Sequence, residues 1–188
     1  MTLSVQRKEI VLNTACLNKL RIAGTLQDSI VDGPGLRYVI FTQGCPHHCE
    51  GCHNPDTHDF LAGKDADVDK IISQISNNKM LSGVTFSGGE PMCQAEALVP
   101  IAKEVKKMGK HLMIYTGYVY EELLEKPDEG IRQLLELADV LVDGPFVLAK
   151  RNLTLIYRGS ENQRVIDLNK TRSQGQIVLY HSDYDDLL

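Results

Sequence analysis

The stretch LRYVIFTQGCPHHCEGCHNPDT, residues 36–57, decides how this chain is read. Its first part, Leu36 to Gln43, is a run of β-branched and aromatic residues and predicts a buried strand. Gly44 and Pro46 end that run, so residues 44–54 read as a loop. Three of the five cysteines of the chain, Cys45, Cys49 and Cys52, fall in that loop. On a helix the three would form one stripe of small core residues. Pro46 and Gly51 make a regular helix there unfavourable, so the loop reads as a metal-binding loop.

Working outward, strands and helices alternate. Val68 to Asn77 has apolar residues at 68, 71, 72 and 75, a helical spacing, with Asp67 as its N-cap. Gly83 to Ser87 reads as a short strand ending at Gly88-Gly89. Gln94 to Met108 reads as a helix stopped at Gly109. Lys110 to Thr116 and Val140 to Asp143 read as strands, with helical segments near 119–125 and 130–137 between them. LTLIYRG and QRVIDL, either side of Ser160-Glu161-Asn162, read as a hairpin-like pair. This alternation implies parallel βαβ units in an α/β fold. The chain is too short for eight such units, so the expectation is a partial TIM-like barrel of about five or six parallel strands. In such folds chemistry gathers at the carboxyl ends of the strands. Gly88-Gly89-Glu90, Thr116-Gly117-Tyr118 and Asp143-Gly144-Pro145 all follow strands.

Composition bounds the function. A chain of 188 residues with 43% hydrophobic and 24% charged residues fits one globular domain, residues 1–188. Residues 1–18 and 170–188 read as loose extensions. A net charge of −5 speaks against a nucleic-acid partner, which needs a basic face. No apolar run is long enough to span a bilayer, and the N-terminus lacks a signal-type apolar core. The expectation is a cytoplasmic protein without a membrane partner. Clustered cysteines in that compartment point to metal or catalysis rather than to disulfides.

The loop allows two kinds of metal. Zinc in a structural site takes four ligands, which the cysteines plus His47, His48 or His53 could supply. That reading makes the chain a structural or interaction module. A cubane iron–sulfur cluster normally takes four thiolates. Three thiolates leave one iron open to a small chelating ligand. Cys16 and Cys93 lie outside the loop and carry no assigned role.

The spacing C-x3-C-x2-C resembles the signature of the radical S-adenosylmethionine superfamily. Ser87-Gly88-Gly89-Glu90-Pro91 resembles its second motif. Asp32-Gly33-Pro34-Gly35-Leu36-Arg37, then Phe41 to Cys45, then Cys52-His53-Asn54-Pro55-Asp56-Thr57 resemble the glycyl-radical-enzyme activases. Tyr115-Thr116-Gly117-Tyr118, Leu141 to Val147 and Ile156 to Gln163 are similar to the branch that acts on anaerobic ribonucleoside-triphosphate reductase. The resemblance covers roughly residues 20–168.

It implies one [4Fe–4S] cluster on Cys45, Cys49 and Cys52, with S-adenosyl-L-methionine at the open iron. Gly51, Cys52, His53, Gly88, Gly89, Glu90, Thr116 and Asp143 would form the cofactor pocket, with the Glu90 carboxylate toward the methionyl amine. Arg158, Ser160 and Asn162 are further candidates, each also explained by a turn. His47 and His48, being adjacent, are expected to diverge as exposed loop residues. The implied partners are a glycyl radical enzyme, the anaerobic reductase or alternatively pyruvate formate-lyase, and a flavodoxin-like electron donor. No catalytic residue beyond cluster and cofactor is expected, because hydrogen-atom abstraction needs positioning rather than a general base. The acidic segment from His181 to Asp186 reads as a solvated tail.

Overall fold

The computed structural model describes residues 19–181. Cys16, the N-terminal extension and the tail beyond His181 lie outside the described residues. The chain runs through β1 (Arg21–Ser29), β2 (Arg37–Thr42), β3 (Lys64–Asp65), α1 (Val68–Asn77), β4 (Gly83–Gly88), α2 (Ala95–Lys107) and β5 (His111–Tyr115). It continues through α3 (Tyr120–Glu125), α4 (Glu129–Leu137), β6 (Val140–Asp143), β7 (Arg164–Asp167) and α5 (Leu168–Gln174).

The strands form one seven-stranded sheet in the order β3-β1-β2-β4-β5-β6-β7. Neighbours β2, β4, β5 and β6 are parallel. Among the described strands, the expected five or six parallel strands are therefore four. β1 turns tightly through Asp32-Gly33-Pro34-Gly35 into β2, so the two pair antiparallel. β7 returns from the long 144–163 loop without a crossover helix and pairs antiparallel with β6. The hairpin expected around Ser160 is absent: residues 153–159 form no strand, and QRVIDL finds its partner in β6 instead. Residues 170–180 are not loose. They complete α5 and add a bridge from Leu179 to Ile166, with the Tyr180 amide donating to the Val165 carbonyl at 2.8 Å.

The parallel strands are added in one direction only. Right-handed crossovers then place every connecting helix on the same face. That face carries the main core: Tyr38, Ile40, Val84, Phe86, Leu112, Ile114, Leu141 and Ile166 from the sheet meet apolar residues of the helices. The other face is covered by loops. Met113, Val140 and Val142 pack there with Tyr115, Tyr157, Val165 and Tyr180.

Arg37 sits at the start of β2, fully buried. Its guanidinium donates to Thr85 Oγ1 at 2.6 Å and to the Pro34 and Val84 carbonyls. It also lies 3.3 Å from His111 Nδ1. Thr85 Oγ1 in turn donates to the Asp32 carbonyl at 2.7 Å. This network fastens the Asp32–Gly35 turn beneath the sheet, at the end remote from the carboxyl ends of the strands. Burial pushes the Arg37 pKa down to about 10, which leaves it cationic at neutral pH.

Candidate functional site

The carboxyl ends of β2, β4, β5 and β6 open into one cleft. It is lined by Cys45, Cys49 and Cys52 from the loop after β2, and by Ser87, Gly88 and Gly89 from the end of β4. Tyr115, Thr116 and Gly117 enter from β5, with Gly144, Phe146 and Gln163 closing the far side.

The cysteine loop is stapled at its neck. The Gly44 amide donates to the Thr57 carbonyl at 2.8 Å, and the Cys45 amide to the His58 carbonyl at 3.1 Å. Inside the neck, the Cys52 amide donates to the Cys49 carbonyl at 3.2 Å, and the Asn54 amide points at Cys52 Sγ at 3.4 Å. Gly51 has φ +70°, a conformation side chains rarely adopt. It permits the sharp reversal that places Cys49 and Cys52 together. Gly89 has a different constraint: a Cβ there would lie 2.4 Å from the Gly44 carbonyl oxygen. The cysteine loop and the glycine turn thus approach backbone to backbone.

The three thiols are free, Cys45 buried and the other two half-buried. Burial pushes the Cys45 thiol above its usual pKa. Among the described residues, no three His, Cys, Asp or Glu side chains converge as a single metal ion requires. A cubane cluster makes a different demand, because each of three thiolates meets a different iron. Three thiols spread around one cleft fit it. A further fit is His58, whose ring lines the cleft while its Nε2 is buried without a hydrogen-bond partner. An N–H beside an iron–sulfur cluster has sulfur to donate to.

Thr116, Gly88, Gly89, Cys52 and His53 line the cleft as the sequence suggests. Two other expected pocket residues turn their carboxylates into the protein. Glu90 is fully buried. Its Oε1 accepts from the Met92 amide and from Thr116 Oγ1, both at 2.9 Å. Its Oε2 accepts from the Gly117 amide and meets His47 Nε2, both at 2.8 Å. With four partners, this carboxylate joins the ends of β4 and β5 to the cysteine loop instead of facing the cleft. Asp143 accepts from the Tyr120 amide at 2.8 Å and forms a two-pronged ion pair with Arg164. It caps the entry to α3, and the neighbouring Gly144 is the residue that reaches the cleft. Gly51 lies behind the cleft, against Leu148.

His47 and His48 do diverge, but His47 is not exposed. Its side chain is 17% accessible, and its ring stands edge-on to Tyr118 with centroids 4.5 Å apart. His48 instead meets His58 edge-on at 5.0 Å. Ser160 is buried and accepts from the Val147 amide at 3.2 Å. Arg158 donates to the Gln163 carbonyl, and Asn162 Nδ2 to the Pro145 carbonyl. These three build the 144–163 loop and leave Gln163 to line the cleft. Cys93 is exposed and free, outside the cleft. Sequence reasoning missed Tyr115, Phe146, His58 and Gln163. The position of Tyr115 at the end of β5 was the available signal.

Comparison with known proteins agrees with this geometry. The family described as "4Fe-4S single cluster domain" matches residues 31–166. The anaerobic ribonucleoside-triphosphate reductase-activating protein of Haemophilus influenzae is 34% identical over 142 residues, 71% of this chain and 89% of that one. Its Escherichia coli K12 counterpart is 36% identical over 145 residues, 72% of this chain and 91% of that one. The pyruvate formate-lyase-activating enzyme of Clostridium pasteurianum is 41% identical over 124 residues, 61% of this chain and 51% of that one. With three free thiols in one strand-end cleft and such relatives over most of its length, the chain belongs to the 4Fe–4S single cluster domain family, among the anaerobic ribonucleoside-triphosphate reductase-activating proteins.

Proposed function

We propose that this chain activates anaerobic ribonucleoside-triphosphate reductase by generating a glycyl radical on it, as a cytoplasmic radical S-adenosylmethionine enzyme. The observation that carries the reading is the facing of three free thiols by the Gly88-Gly89 backbone across one cleft. Cys45, Cys49 and Cys52 would hold a [4Fe–4S] cluster, leaving one iron for the cofactor's methionyl group. Gly88, Gly89 and Thr116 would receive that group, with His53 and Phe146 on the opposite wall, their rings 4.9 Å apart. A bound cluster and cofactor would supply radical chemistry at this cleft, by which a hydrogen atom could be taken from a backbone glycine of the partner. Glu90 contributes by position: it fixes the ends of β4 and β5 against the cysteine loop. The single-wound sheet supports a partial barrel, its helix-free face turned to the cofactor. A flavodoxin-like protein is the proposed electron donor.

The test is anaerobic reconstitution with iron and sulfide, followed by addition of S-adenosylmethionine, reductant and the reductase. A glycyl radical signal in the reductase is expected. Cys49→Ala should lose both cluster iron and cofactor cleavage. A colourless protein with stoichiometric zinc would replace this reading with that of a zinc module. Activation of pyruvate formate-lyase is the second reading, favoured by the 41% identity to the clostridial enzyme. Offering both partners side by side separates the two.

A further inference from the structure

We propose that His58 donates a hydrogen bond from Nε2 to a sulfur of the bound cluster and thereby raises its reduction potential. The inference rests on the cluster reading above and adds a residue that the cysteine motif does not contain.

Three observations meet at this side chain. Its Nε2 is one of two buried side-chain polar atoms among the described residues without a hydrogen-bond partner. A buried polar group left unpaired is costly, so the fold gains by supplying an acceptor. The ring lines the same cleft as Cys45, Cys49 and Cys52. Its backbone is fixed there, because the His58 carbonyl accepts from the Cys45 amide at 3.1 Å and the His58 amide donates to the Pro55 carbonyl at 3.2 Å. Its outer face is held by His48, edge-on at 5.0 Å. The ring is thus positioned by its backbone and by His48 with Nε2 unpartnered, and thiolate and sulfide are the acceptors this cleft would offer.

Reduction adds negative charge to the cluster and its sulfurs. An N–H directed at sulfur stabilises the reduced form more than the oxidised form, which raises the potential. One donor placed on a sulfur therefore eases reduction of the cluster.

The test is a redox titration of the reconstituted holoprotein, followed by EPR of the reduced cluster, for wild type, His58→Phe and His58→Gln. Iron and sulfide per chain are measured first. A wild-type protein that assembles no cluster overturns the cluster reading itself, and this inference with it. With clusters assembled, His58→Phe should show a roughly tenfold lower ratio of reduced to oxidised cluster at a fixed potential, about 59 mV for one electron. His58→Gln, which keeps an N–H donor, should recover most of that shift. Equal potentials in all three proteins overturn the inference alone. So does a Gln variant that shifts as far as Phe.

A second measurement covers a Phe variant that fails to assemble. Wild-type protein grown with 15N-histidine should show a weak nitrogen coupling to the reduced cluster, absent in His58→Gln. No such coupling, or one of the size expected for direct iron–nitrogen ligation, overturns the hydrogen bond.

Discussion

Replacing Glu90 by Gln tests the central joint of the site at the level of single amides. The carboxylate offers two acceptor oxygens, each with two partners: Met92 N–H and Thr116 Oγ1 on one, Gly117 N–H and His47 Nε2 on the other. An amide of the same shape has one acceptor oxygen. If that oxygen takes the Oε1 position, the new NH2 faces the Gly117 amide, donor against donor. If it takes the Oε2 position, the NH2 faces the Met92 amide. Thr116 can rotate its hydroxyl and His47 can exchange tautomers to accommodate an N–H, but a backbone amide cannot. Whichever way the side chain settles, one buried backbone N–H loses its acceptor. The cost is about 1–3 kcal/mol, which at 1.4 kcal/mol per tenfold is about 5- to 150-fold in the opening equilibrium of that amide. Amide hydrogen exchange followed by NMR reads both positions in one sample. The expected result is faster exchange at Gly117 or at Met92, with the far side of the sheet unchanged. Unchanged exchange at both amides would refute the four-partner arrangement.

Two further outcomes follow from the same geometry. Burial, then the adjacent Arg37 cation, push the His111 pKa from 6.5 down to about 4. The unfolded chain therefore takes up that proton first: the stability His111 provides is complete above about pH 6.5 and is lost as pH falls toward 4, about 3 kcal/mol in all. Urea midpoints measured across that window should fall less steeply for His111→Asn than for wild type, and parallel curves would contradict the assignment. A Cβ on Gly117 would lie 2.4 Å from the His47 ring, which is wedged between Glu90 and Tyr118. Gly117→Ala should cost about 1–3 kcal/mol by overpacking. In a His47→Ala background that cost should largely vanish, and additive costs in the double mutant would contradict the contact.

The parts legible in the sequence are those whose signal is local. α1 is one: its apolar spacing buries Ile71 and Ile75, and Asp67 caps it by accepting from the Lys70 amide at 2.9 Å. Tyr38 to Phe41 of β2 and Val140 to Val142 of β6 are continuous apolar runs because both faces of the parallel sheet are covered. β1 carries no such mark, since residues 25–28 are exposed and backbone pairing to β2 holds the strand. LTLIYRG has the composition of a strand but stays in the 144–163 loop, and β7 takes the place beside β6. α5 buries only Leu168 and Thr171, too few to show a period. The same division holds in the site. The cysteine spacing is local and legible. The orientation of Glu90 is not, because its partners Thr116, Gly117 and His47 lie 26, 27 and 43 residues away. His58 and Gln163 enter the cleft only through loop closure, which no spacing announces.

The two hydrogen bonds at the neck of the cysteine loop, from Gly44 to Thr57 and from Cys45 to His58, carry a consequence for assembly. They tie the two ends of the loop together through the backbone, so part of the entropy of gathering three thiols is met by the polypeptide rather than by a metal centre alone.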